Sequence, residues 1–184
     1  MTRGVHAWRH PRATGAAGRC IGRTELDVDR RRAKRLARRI QAFARRHDLP
    51  RIVVTSPLRR CRDVGRWLAR WGWRHRVDPT LVELDFGRWD GARWSDIAPQ
   101  EIDAWCRDFP RFAPGGGEPL AALLARVRGF EPGDAHVLVT HGGWLSAAAW
   151  LSTRGDAAPT SETWPPAPRP GAHVELGELR ESGR

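Results

Sequence analysis

Three polar clusters in this chain each close an apolar, strand-like run. Arg9-His10 ends the run Val5 to Arg9. Ser56-Pro57-Leu58-Arg59-Arg60 follows Arg51 to Thr55, and His141-Gly142-Gly143 follows His136 to Thr140. In open α/β sheets, ligands bind beyond the carboxyl ends of the strands. If the three runs are parallel neighbours, two histidines and at least two arginines meet at one sheet edge. That combination suits a phosphoryl group. Arginines hold non-bridging oxygens through paired, charge-assisted hydrogen bonds. The amide of Gly142, at a helix start, adds a donor with a favourable dipole. A neutral imidazole nitrogen attacks phosphorus directly, provided its other nitrogen is held by an acceptor such as a backbone carbonyl. A carboxylic acid must then protonate the leaving oxygen. Glu83, in the segment Leu81 to Gly91, is the candidate.

The elements that must position these groups follow from periodicity. Val5 to Arg9, Arg51 to Thr55, His75 to Val77 and His136 to Thr140 read as strands. From Asp29 the pattern turns helical, with Ala33, Leu36, Ala37, Ile40 and Ala44 on one apolar stripe and Asp27 or Asp29 as its cap. Ser56-Pro57 is expected to open a second helix lined by Cys61, Val64, Leu68 and Trp71. Further helices are expected over Gln100 to Phe109, Glu118 to Phe130 and Gly143 to Ser152. Arg154 to Gly171 is Pro-rich and irregular, and Val174 to Leu179 is a possible edge strand. Strands alternating with helices imply an α/β three-layer sandwich with a mainly parallel central sheet. The 184 residues are expected to form a single domain, 1–184.

Composition excludes several other classes. No apolar run is long enough to span a bilayer, and the first residues lack the apolar stretch of a signal peptide. A cytoplasmic protein without membrane contact is the expectation. Cys20, Cys61 and Cys106 are an odd set without metal-type spacing, so three reduced thiols are expected. His6, His47, His75, His136 and His173 belong to no ligand pattern, so no metal and no cofactor are expected. The net charge of +11 raises nucleic-acid binding. Yet the basic residues are spread along the chain. The densest run, Arg30 to Arg46, reads as the solvated face of a helix, so no nucleic-acid partner is expected.

Of the ten tryptophans, Trp67, Trp71, Trp105 and Trp150 fall on helical patterns and read as packing. Trp89, Trp94 and Trp144 lie near the polar clusters in sequence. Packing is the favoured role for these three as well, with stacking on an aromatic leaving group as the alternative. Glu118 reads as a helix-start charge, with a place at the pocket rim as the alternative.

Arg9-His10, SPLRR (Ser56 to Arg60), LVELDFGRWDG (Leu81 to Gly91) and THGG (Thr140 to Gly143), in this order, resemble the histidine phosphatase (phosphoglycerate mutase-like) family. The resemblance implies that His10 is the phosphorylated residue and that Arg9 binds phosphate. It assigns the second phosphate-binding arginine to Arg60 rather than Arg59. It implies that His141 holds the phosphoryl group and that Glu83 is the proton donor. The segments Gly18 to Asp29 and Glu83 to Gly91 look most like α-ribazole phosphatases of cobalamin synthesis. The implied function is a metal-independent phosphomonoesterase acting on a small-molecule phosphomonoester, as a monomer or homodimer. The alternatives are a phosphoglycerate-type mutase and a non-catalytic phosphoryl-ligand binder. One departure stands out. The family has glycine after the nucleophile, whereas this chain has Pro11, which offers no N–H. Thr14 and Arg19 are the available replacements for a family asparagine in the same loop.

Overall fold

The apolar runs assemble into one five-stranded sheet in a computed structural model, which describes residues 4–177. Its strands are β1 (Val5–Arg9), β2 (Ile52–Thr55), β3 (Arg74–Val77), β4 (Val137–Thr140) and β5 (His173–Leu176), in spatial order β3-β2-β4-β1-β5. All pairings are parallel except the edge pair of β1 with β5. The expected edge strand is therefore present, but it begins at His173 and ends at Leu176. Glu178 and Leu179 lie outside the described residues.

Strand β4 is buried along its whole length, as befits a central parallel strand covered on both faces. Alternation sorts the side chains between two cores. Ala7, Val54 and Leu138 point to one face, under α4 (Leu120–Arg128) and α5 (Gly142–Arg154). Trp8, Val53, Val137 and Val139 point to the other, under α1 (Arg30–Arg46) and α2 (Arg59–Ala69). This is the expected three-layer α/β sandwich.

Helix α1 buries the five apolar residues that the spacing identifies. Asp29 Oδ1 accepts the amides of Arg31 (2.7 Å) and Arg32 (3.1 Å), satisfying two free helix-start donors. Helix α2 begins at Arg59, later than expected. Pro57 lies outside it, and Ser56 Oγ instead accepts the Leu58 amide. Trp71 lies beyond the helix end. α3 (Pro99–Arg107) starts on its proline, a residue suited to the first helical turn. α4 excludes Glu118 and Phe130 from its expected span, because Pro119 sets its start and Gly129 its end.

Leu138 is fully buried at the centre of the sheet. Leu138→Ala is expected to cost about 2–5 kcal/mol in urea unfolding, with the denaturant dependence of the free energy unchanged.

Candidate active site

The sheet brings the three clusters together because β1, β4 and β2 are parallel neighbours. Hydrogen bonding continues past the strand ends. The His10 amide donates to Thr140 O (3.0 Å), and the Ser56 amide to Val139 O (3.1 Å). The His10 and His141 rings stand 5.2 Å apart, centre to centre. A cavity of about 340 Å³ opens there, with Arg9, His10, Arg60, Glu83, Gly142 and Gly143 at its polar end.

His10 is 8% exposed. Its Nδ1 lies 2.7 Å from the carbonyl oxygen of Pro11. A carbonyl only accepts, so Nδ1 carries the proton and the lone pair is left on Nε2. Pro11 thus supplies the carbonyl that sets the tautomer, and its missing N–H does not enter this contact. Burial, reinforced by the Arg60 charge, pushes the His10 pKa down to about 3. The ring is neutral, as a nucleophile must be.

Arg60 is 1% exposed, and three of its five N–H groups are bonded within the protein. It donates to Gly22 O (2.5 Å), Thr24 O (2.8 Å) and His141 Nδ1 (3.2 Å). The Gly22–Thr24 loop is itself held by Asp90, whose carboxylate accepts the amides of Gly22, Arg23 and Thr24 at 2.6–2.9 Å. His141 is completely buried and does not line the cavity. Its Nε2 lies 2.7 Å from Ser56 Oγ. With Nδ1 accepting from Arg60, the proton resides on Nε2 and points at the serine. Burial and the neighbouring Arg60 charge hold the His141 pKa well below the usual histidine value. In this arrangement His141 orients Arg60. Arg59 is exposed and pairs with Asp27 (2.7 Å), the surface role expected of it.

Arg9 donates to Pro168 O (2.7 Å), and its buried Nε has no acceptor among the described residues. Arg9 lines the cavity, where its guanidinium charge suits an anion. Glu83, 7% exposed, accepts the Gly143 amide (2.9 Å) and the Leu84 amide (3.0 Å). The paired glycines make room for both groups. A Cβ on Gly142 would stand 3.0 Å from Arg9 Cζ, and one on Gly143 would collide with Glu83 Oε1.

Sequence reasoning misses what fixes Glu83. Its three preceding carbonyls are all occupied by side chains. Arg126 Nη1 donates to Thr80 O and Val82 O (both 2.7 Å), and Thr140 Oγ1 to Leu81 O (2.8 Å). Trp144 Nε1 donates to Thr80 O as well (3.0 Å). Arg126 is held in turn by Glu118 (2.8 Å), which also accepts the Asp85 amide. Glu118 is therefore a partner in this clamp, not a helix-start charge. Arg126 carries no sequence signal in so arginine-rich a chain.

The other end of the cavity is apolar and aromatic, with Phe86, Trp94, Trp105, Phe109 and Trp164 among its lining. Trp94 is the one of the three flagged tryptophans that lines it. Trp89 and Trp144 are packed at 2% and 0% exposure. Trp105, expected to serve packing alone, does line it. Arg19 also lines the cavity, whereas Thr14 does not.

All three cysteines are free thiols. Among the described residues, no cluster of three or more His, Cys, Asp or Glu side chains could hold a metal ion, and no helix is long and apolar enough to cross a membrane.

Comparison with known proteins agrees with this geometry. The sequence model of the histidine phosphatase superfamily (branch 1) matches residues 5–164. A mycobacterial glucosyl-3-phosphoglycerate phosphatase, solved in complex with VO3, is 26% identical with a TM-score of 0.74, over 96% of this chain and 91% of that one. A phosphoglycerate mutase from Thermus thermophilus is also 26% identical, with a TM-score of 0.66, over 96% and 95%. Among curated sequences, a bifunctional protein of Mycobacterium tuberculosis is 38% identical over 80 residues, 41% of this chain. The match spans only 22% of that relative's length.

Two outcomes follow from the packing. Gly143→Ala is expected to leave the fold intact and lower turnover by on the order of 10- to 100-fold by displacing Glu83, measured as kcat beside circular dichroism. The depressed pKa of His10 has a consequence for stability. The unfolded chain binds a proton below pH 6.5 that folded His10 refuses until about pH 3. Stability therefore falls as pH drops through this window, by about 3 kcal/mol at pH 4 from His10 alone. His10→Asn, whose amide can still donate to Pro11 O, is expected to show a shallower loss of Tm between pH 7 and 4.

Proposed function

The chain belongs to the histidine phosphatase superfamily, and on that premise we propose that it is a metal-independent phosphomonoesterase working through a phosphohistidine at His10. One observation carries the reading. The Nδ1–H of His10 is tied to Pro11 O, which leaves a neutral Nε2 on a ring that lines a cavity shared with Arg9, Arg60 and Glu83.

In this mechanism the substrate phosphate binds among Arg9, Arg60 and the Gly142 amide, with His141 steadying Arg60. Nε2 of His10 attacks phosphorus as the bond from phosphorus to the ester oxygen breaks. Glu83, entering as the acid, gives its proton to that departing oxygen. The positive charge gained by the imidazole is stabilised by its Nδ1–H···O=C bond to Pro11. Water then attacks phospho-His10. Glu83, now a carboxylate, takes the water's proton, which releases inorganic phosphate and restores neutral His10. The arginines and the helix-start amide offset the charge on the transferring group.

The resemblance of Gly18 to Asp29 and Glu83 to Gly91 to α-ribazole phosphatases makes α-ribazole 5′-phosphate the first metabolite to assay. Glucosyl-3-phosphoglycerate and phosphoglycerate, named for two structural relatives, are the comparison substrates.

Hydrolysis of p-nitrophenyl phosphate in excess EDTA tests the reading. Wild type is expected to turn over and His10→Ala to be inactive. Glu83→Gln is expected to slow alkyl phosphates by on the order of 10²–10⁴-fold, and p-nitrophenyl phosphate less, because nitrophenolate leaves without a proton. Undiminished activity in His10→Ala would overturn it.

A further inference from the structure

The proposed reaction does not use the aromatic end of the cavity. Five rings that line it form one continuous series of contacts. Trp94 meets Phe86 edge to face at 6.1 Å, and Phe86 meets Trp105 at 6.0 Å. Trp105 stacks on Phe109 at 5.3 Å, and Phe109 meets Trp164 at 5.9 Å. Trp94 is 42% exposed, one of only two large apolar side chains so exposed among the described residues. The Nε1–H of Trp105 is buried and has no acceptor among the described residues. Arg19 also lines the cavity, and its Nη1 already donates to Gly91 O (2.7 Å).

These features select the leaving group. A carboxylate placed against this wall would lose its hydration to rings that cannot replace it, which is costly. A flat, uncharged ring would gain offset or edge-to-face contacts. A cavity of about 340 Å³ is near the lower end for ligand sites, so one mono- or bicyclic group beside the phosphate is what fits.

Resting on the phosphatase reading of the polar end, we propose that Phe86, Trp94, Trp105, Phe109 and Trp164 form a specificity subsite for an uncharged aromatic or heteroaromatic leaving group. The natural substrate is then a phosphomonoester of an alcohol that bears an aryl group, not of a carboxylated one.

The test compares alkyl leaving groups, so that leaving-group acidity does not mimic recognition. Benzyl phosphate is set against glycerol 3-phosphate and 3-phosphoglycerate. In wild type, kcat/KM for benzyl phosphate is expected to be higher by about tenfold or more. Trp94→Ala and Trp105→Ala are each expected to reduce that ratio several-fold. Binding is read in parallel, as quenching of tryptophan fluorescence by benzylphosphonate and by methylphosphonate. Turnover of all three esters with no benzyl preference, or a preference untouched in both variants, would overturn the subsite and leave the hydrolase standing. No turnover with tighter benzylphosphonate binding would keep the subsite and overturn the hydrolase. No turnover and no difference between the phosphonates would overturn both.

Discussion

Burying the guanidinium of Arg60 is the constraint on which this structure turns. At 1% exposure the cation has lost its water, and the fold must replace that water with acceptors. It does so with the carbonyls of Gly22 and Thr24 and with His141 Nδ1. Each of these needs its own support. Asp90 gathers the amides of Gly22, Arg23 and Thr24, which holds the loop beside Arg60. Ser56 holds the far nitrogen of His141. The same buried charge helps keep His10 neutral. Segments at residues 22–24, 56–60, 90 and 141 are thereby tied into one electrostatic unit, whose unmet demand is for an anion.

The sheet and its loops make that unit accurate. Parallel pairing of β1, β4 and β2 fixes the relative heights of His10, His141 and Ser56. The carbonyls of Thr80, Leu81 and Val82 are each tied by a side chain, so the backbone leading to Glu83 has little freedom. Gly142 and Gly143 let Arg9 and Glu83 approach the start of α5 more closely than any side chain would allow. Positioning of this kind, built on rigid elements and supported from behind, is what a phosphoryl-transfer site requires.

Much of this is legible in the sequence, and particular residues show why the rest is not. The strands and α1 declare themselves through local periodicity. Arg9, His10 and His141 close those strands, and the resemblance to the family's motifs singles out Arg60 and Glu83. Arg126 does not, because one arginine among 32 basic residues carries no local mark. Its role arises only when α4 is laid beside the Thr80–Val82 segment. The aromatic wall is likewise a product of tertiary packing. Phe86, Trp105 and Trp164 are far apart in sequence, and helical spacing assigns Trp105 to packing alone. Pro11 shows a different limit. The sequence displays the N–H it lacks, while the carbonyl that fixes the His10 tautomer is one every residue possesses. The start of α2 is read too early because Pro57 suits both a first helical turn and the loop before one.

The central claim is that His10 becomes covalently phosphorylated during turnover. The most direct measurement is a rapid quench of wild-type enzyme during steady-state hydrolysis of p-nitrophenyl phosphate, followed at alkaline pH by peptide mass spectrometry. The expected result is a phosphoryl group on the peptide containing His10, stable to base and lost in acid, formed and consumed at rates compatible with turnover. Turnover with no phosphorylated peptide, or with the phosphoryl group on another residue, would contradict it.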